Sequence, residues 1–162
     1  MLKRTTLRAA CAAGLIGLTA CASTPPQPVS VTDTLARTPE LSTLSRLVTE
    51  AGLADTLRGA GPYTVFAPSN EAFKALPADA LAKLAADKDA LRAVLTFHVL
   101  PAKVLAADVV TGNAKTVNGA TLALSKAGTF VTVEEALVQT PDLIASNGVV
   151  HTVDRVLMPP KR

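Results

Sequence analysis

The residues of this chain that could do chemistry are two histidines, a serine closing an apolar run and a scatter of carboxylates. A hydrolytic site needs a serine, an imidazole and an acid in mutual contact. Ser69, His151 and Asp154 are the set that invites this reading, and their spacing argues against it. His151 and Asp154 lie three apart in a β-branched run, and along a strand that interval sends two side chains to opposite faces. Ser69, followed by Asn70 and Glu71, is better placed to cap a helix. His98 and His151 both stand among aliphatic residues, where an imidazole serves more often as a hydrogen-bonded core residue than as a catalyst. Two histidines without a neighbouring cysteine do not make a metal site by spacing. Neither a nucleophile elbow nor a phosphate-binding loop occurs. The residues point away from an enzyme, leave a hydrolase as a remote alternative, and imply no cofactor and no metal.

Composition narrows the function classes further. A chain of 162 residues, 49% hydrophobic and 18% charged, is expected to form one domain with a substantial core. Aromatics are only 3% and tryptophan is absent, so that core must be built from Ala, Leu and Val. The net charge of +3 comes from Lys3, Arg4 and Arg8, and without them 13 basic residues face 13 acidic ones. Nucleic-acid binding requires a basic field that displaces counterions, and the remainder has none. Cys11 and Cys21 both precede the globular part, which excludes a disulfide-stapled core.

The first residues read as a targeting segment. A basic Met1–Arg8, an apolar Ala9–Leu18 and small residues follow in the order of a secretory signal peptide. The apolar run is too short to cross a bilayer core of about 30 Å as a helix. Leu18-Thr19-Ala20-Cys21 resembles a bacterial lipobox, which implies cleavage before Cys21 and acylation of that residue, palmitate included. Ala22 at the next position resembles outer-membrane sorting in Gram-negative lipoproteins. Ala22–Val29 holds three prolines and no charge and reads as an extended tether reaching at most roughly 28 Å. Residues 1–20 are thus read as signal peptide, 21–30 as lipidated Cys21 with tether, and 31–160 as the domain.

Within the domain, helical signals come first and strand signals last. Thr38-Pro39-Glu40 predicts a helix start, and Leu41, Leu44, Val48 and Ala51 continue it to a stop at Gly52. Leu53–Arg58 reads as another short turn, and Tyr63–Ala67 as a strand ended by Pro68. Asn70–Leu76 follows as a helix capped by Ser69, with Phe73 turned back to the core. Asp79–Ala86 and Asp87–His98 are helices opened by their aspartates. The second shows Leu91, Val94, Leu95 and His98 on one face. From Lys103 the pattern becomes strands: Lys103–Leu105, a Thr116–Leu122 hairpin turning on Asn118-Gly119, Leu122–Leu124 and Thr129–Val133 about a turn at Ser125–Gly128, and Ala136–Gln139 and Leu143–Ala145 about Pro141-Asp142. Asn147-Gly148 is a further turn signal, since both residues tolerate positive φ. Val149–Leu157 is then a strand apolar on both faces, which belongs in the middle of a packed structure. Helices followed by many short antiparallel strands argue for α+β.

Several stretches, in order, resemble one family. Thr64-Val65-Phe66-Ala67-Pro68-Ser69-Asn70-Glu71-Ala72-Phe73 resembles the first signature box of fasciclin-like (FAS1) domains, and Asn147–Leu157, NGVVHTVDRVL, the second. Phe97-His98-Val99-Leu100 stands where a Tyr-His motif usually lies, and Val117–Leu122 is similar to the family's hairpin. The resemblance runs from about Val31 to Pro159. It implies a single FAS1 domain of α+β class, a β-wedge of about seven mostly antiparallel strands with short helices packed at one side. It also implies an extracytoplasmic, non-enzymatic adhesion domain. Its motif positions here are Phe66, Pro68, Asn70, Phe73, His98, Asn118, Gly119, Asn147, Gly148, His151 and Asp154, read as structural. The integrin partner of animal members is not carried over, because Phe97 lacks the tyrosine hydroxyl. The functional expectation is a membrane-anchored module that binds a protein or polysaccharide of the envelope, matrix or surface. The alternative is a small apolar ligand held between helices and wedge.

Overall fold

The computed structural model describes residues 29–160. The signal peptide, Cys21 and most of the tether lie outside the described residues. The helices are α1 (Val31–Arg37), α2 (Ser42–Glu50), α3 (Ala54–Arg58), α4 (Asn70–Lys74), α5 (Ala78–Ala86) and α6 (Lys88–Phe97), with a 3-10 turn at Pro39–Leu41. The strands are β1 (Tyr63–Pro68), β2 (Val99–Leu100), β3 (Gly112–Lys115), β4 (Thr121–Ala127), β5 (Phe130–Val133), β6 (Ala136–Ala145) and β7 (Gly148–Val153). They form one seven-stranded sheet in the order β2-β1-β7-β6-β5-β4-β3. All neighbours are antiparallel except β1 and β7, which run parallel. The architecture is the α+β one expected, with the sheet curled almost into a barrel.

Every residue of β7 is buried, because its two faces feed two cores. Val150, paired with Val65, belongs to the core shared with α1, α2, α3 and α6, alongside Leu35, Leu44 and Leu95. Val153 joins Phe66, Phe97, Leu122 and Leu157 inside the curl of the sheet. Alternation along a strand delivers successive side chains to these two sides. That is why the segment reads as apolar on both faces.

Local chemistry departs from the sequence reading at several points. α1 has no counterpart among the helices expected from the sequence: Ser30 caps it, accepting from the Asp33 amide while donating to the Asp33 carboxylate. Val29 and Ser30 already belong to the packed domain, the Val29 carbonyl accepting from Ser146 N. Thr38 does not cap a helix with its side chain; its hydroxyl donates to Thr34 O at the end of α1. α5 opens at Ala78 after Pro77, with Asp79 in its first turn, whereas Asp87 does cap α6. Lys103–Leu105 forms no strand; β2 precedes it instead. The Pro141-Asp142 break does not divide β6. The strand runs through it with two register shifts, since bulges admit a proline that would otherwise interrupt a ladder.

Both Asn-Gly signals mark turns, for reasons other than those expected. At Asn118-Gly119 the turn bond runs from Gly119 N to Thr116 O, so Val117-Asn118 are the central residues. Gly119 follows them at φ +84°, the three-residue hairpin geometry rather than a two-residue one. The β4–β5 hairpin turns on Gly128-Thr129, not over Ser125–Gly128. Between β6 and β7 the turn is Ser146-Asn147, and neither Asn147 nor Gly148 has positive φ. Gly148 is required for space: a Cβ there would collide with the Tyr63 carbonyl oxygen and lie 2.9 Å from its carbon. Gly61 has the same problem against the Asn147 carbonyl. The two glycines let β1 and the β6–β7 turn meet backbone to backbone.

Gly148→Ala is therefore expected to cost about 3 kcal/mol or more, as overpacking against rigid backbone. Urea denaturation measures it, and a wild-type midpoint would show that the junction yields.

Candidate functional site

The asparagines of the motif bond to main-chain groups at helix ends, which lack partners of their own. Asn147 shows this most fully. Its Oδ1 accepts from Val31 N at 2.8 Å, at the start of α1, and its Nδ2 donates to Leu57 O and Gly59 O at 2.7 and 2.9 Å, at the end of α3. One amide thus serves the donor end of one helix and the acceptor end of another. Asn70 does the same for α2, which has no side-chain cap in its own sequence. It accepts from Thr43 N and donates to Pro39 O, both at 3.0 Å. Asn118 donates from Nδ2 to Ala93 O and from its backbone to Thr96 O, holding the β3–β4 turn on the last turn of α6. The sequence reading took Asn118 and Asn147 as turn residues only. Their capping partners lie 25 and 116 residues away, beyond the reach of a local pattern.

His98 and His151 act in the same manner from inside the molecule. His98, 1% exposed, stands one residue past the end of α6 rather than on the helix. Its Nδ1–H donates to Val94 O at 2.8 Å, and its Nε2 accepts from Leu157 N at 2.9 Å. A carbonyl can only accept and an amide can only donate, so the ring is held neutral with the proton on Nδ1. Burial pushes its pKa down to about 4 against the opposing effect of the Val94 bond. His151 carries the opposite tautomer. Its Nε2–H donates to Val104 O at 2.8 Å and its Nδ1 accepts from Asp142 N at 3.2 Å. Phe66 stacks on the ring at 5.6 Å. Burial lowers this pKa also, opposed by the Val104 bond and the Asp142 carboxylate.

The structure does not join Ser69, His151 and Asp154. The Ser69 hydroxyl caps α4 by accepting from Ala72 N at 3.2 Å, and Asp154 Oδ1 accepts from Leu137 N at 2.7 Å. The acid nearest His151 is Asp142, with Oδ1 3.9 Å from Nδ1. The sequence marks it only as part of the Pro141-Asp142 break; its φ of +59° is a value that Asn and Asp tolerate best. Phe66, Phe73 and Phe97 are buried core residues, and Pro68 ends β1 opposite Val153. Among the described residues no group of three or more His, Cys, Asp or Glu is placed to hold a metal, and no buried side-chain nitrogen or oxygen lacks a partner.

Two concavities bear on ligand binding. Where α3 meets β1 and β2 the space beside Leu57, Tyr63 and Val117 is about 20 Å³, room for little more than one water. A groove of about 410 Å³ lies between α2 and α5, walled by Leu47, Leu81 and Ala85 and rimmed by Arg46 and Glu50. No described helix is long and apolar enough to cross a membrane.

A family model described as Fasciclin domain matches residues 39–159. Protein sll1483 of Synechocystis sp. is 40% identical over 134 residues, covering 82% of this chain and 74% of the relative. Transforming growth factor-beta-induced protein ig-h3 of Sus scrofa is 38% identical over 119 residues, 72% of this chain but only 17% of that protein. Immunogenic protein MPB70 of Mycobacterium bovis is 38% identical over 127 residues, 75% of this chain and 65% of its own. A solved FAS1 domain pair from the insect cell adhesion molecule fasciclin I superposes with a TM-score of 0.68, at 17% identity, over 80% of this chain and 51% of that one. At that identity the likeness is one of fold.

Two outcomes follow from the geometry. Asn147→Ala removes three bonds at once and is expected to destabilise the domain by about 2–4 kcal/mol; a loss below that range in urea denaturation would show that water replaces the amide. For His98 the folded pKa of about 4 lies below the ordinary 6.5, so the unfolded chain binds the proton more tightly. Its contribution is fully present above about pH 6.5 and is lost as pH falls towards about 4, an effect of order 3 kcal/mol. Denaturation midpoints between about pH 7.5 and 5, where most carboxylates stay ionised, should fall in wild type and fall less in His98→Leu. Parallel profiles would remove His98 as the cause.

Proposed function

The chain belongs to the fasciclin domain family, and on that premise we propose that it is a lipid-anchored extracytoplasmic interaction module, binding a protein or polysaccharide of the cell envelope, matrix or surface. The observation that carries the anchored reading is the lipobox-like Leu18-Thr19-Ala20-Cys21. Val29 and Val31 are bonded to Ser146 and Asn147, which puts Val29 at the β6–β7 end of the wedge. A chain acylated at Cys21 would be held by that end. The tether, of at most roughly 28 Å, would keep the domain near its membrane with the opposite end facing outward. Several acyl chains at about 0.8 kcal/mol per buried CH2 make such attachment stable. Ala22 favours the outer membrane where the host is Gram-negative. Interaction rather than catalysis is supported by the commitment of both imidazoles, Ser69 and Asp154 to main-chain partners. It is supported also by the fold shared with a cell adhesion molecule.

A second reading, a small apolar ligand, is favoured by the α2–α5 groove and its aliphatic walls. It places the ligand on the helical surface, not between helices and wedge.

Labelled palmitate fed to cells should be incorporated into the wild-type protein and not into Cys21→Ala. The variant should also move from the membrane to the soluble fraction. A membrane-bound, unlabelled wild type would sink the anchored reading. Crosslinking on intact cells followed by mass spectrometry then identifies the captured partner.

A further inference from the structure

The segment between β2 and β3, Pro101–Thr111, contains neither helix nor strand, yet it closes one side of the inner core. Val104 and Ala106 pack against that core, and Val109 is buried in it. Its central part is held by side chains from the sheet. Thr64 on β1 donates to Ala102 O at 2.6 Å and accepts from Val104 N at 2.8 Å. His151 on β7 holds Val104 O, and Asp142 on β6 accepts from Ala106 N at 2.9 Å. Lys126 on β4 donates to Ala107 O. The histidine and the aspartate are themselves joined, Asp142 N donating to His151 Nδ1.

We propose that His151 and Asp142 form a proton-operated latch, which keeps the 101–111 strap closed over the inner core at neutral pH and releases it on acidification. The argument is one of valence. A proton can enter the ring only at Nδ1, because Nε2 already carries one. Nδ1–H then faces the Asp142 N–H, and two donors cannot bond. The acceptor within reach is the Asp142 carboxylate, at 3.9 Å, and that carboxylate is what holds Ala106 N. Protonation therefore orphans the Asp142 amide and sets the ring in competition with Ala106 N for the Asp142 Oδ1. The groups facing the ring from the other elements are uncharged: the Phe66 ring from β1 and the Val104 carbonyl from the strap. Asp142 is the charge that acts on it, favouring the protonated form, while burial acts more strongly against that form. The direction is thus fixed: closure is favoured by the neutral ring, and the closed strap resists the proton until the pH is below the ordinary histidine range. Opening would withdraw Val104, Ala106 and Val109 from the inner core.

Amide hydrogen exchange on the intact domain tests this, read at Val104 and Ala106 and corrected for the intrinsic pH dependence of exchange. Exchange at these two amides is expected to accelerate by up to about tenfold per pH unit below about pH 6.5 and to stay well ahead of Val150 in β7, which follows only the global loss of stability. Asp142→Asn keeps an acceptor for Ala106 N and tolerates the positive φ, but removes the charge that favours His151 protonation. Its acceleration should begin at the same pH as in wild type but continue to lower pH and reach a higher plateau. His151→Gln, where it folds, should show no acceleration. Strap amides flat with pH in wild type, or exchanging no faster than Val150, would overturn the latch, as would an Asp142→Asn profile that levels off at the same pH as wild type.

Discussion

A single six-residue strand, β7, is buried on both faces, and the rest of the domain is arranged to make that possible. Its ladder partners are β1 on one side and β6 on the other, so its main chain is satisfied within the sheet. Its side chains then divide between a helical core and a core inside the curled sheet. Nothing charged fits in either place without a partner, because ionised groups taken out of water lose several kcal/mol. The imidazole that β7 carries inward is accordingly neutral and bonded at both nitrogens.

The same economy governs the helices. They are short, five to ten residues, and isolated helices of that length are marginal in water. Several of their ends have no local cap. Asn70, Asn118 and Asn147 supply the missing groups from elsewhere in the chain, and His98 does so for the last turn of α6 while also holding Leu157 N from the segment after β7. Each is therefore both a helix cap and a long-range tie. The polar motif residues lie where two elements meet rather than around a cleft, which fits a scaffold that presents its surface more than a pocket that processes a substrate.

Titration enters this architecture through its two histidines. Both are destabilised as cations in the same direction, by burial, but they tie different things. His98 holds the end of the β7 segment against α6, so its loss bears on the whole fold. His151 holds a strap that has no regular structure of its own. One domain thus carries a global and a local response to acid, separated by what each ring is bonded to.

Much of this was legible beforehand. The doubly apolar run Val149–Leu157 announced a central strand, though β7 ends at Val153 and Asp154–Leu157 leave the ladder; Ser69 and Asp87 announced helix starts, and the boxes TVFAPSNEAF and NGVVHTVDRVL named the family and hence the α+β fold. Periodicity, capping and composition are local, and a chain reports local preferences directly. What the sequence could not show is whatever depends on distant partners. Gly148 looks like a turn glycine until Tyr63 is laid beside it. Asn147 looks like its neighbour in that turn until α1 and α3 are docked against it. Asp142 becomes the acid beside His151 only because β6 passes through Pro141 with shifted register, and no spacing rule along the chain encodes that shift. Those assignments were decided by tertiary packing, because a hydrogen bond is specified by the position of both its ends and the sequence describes only the neighbourhood of one.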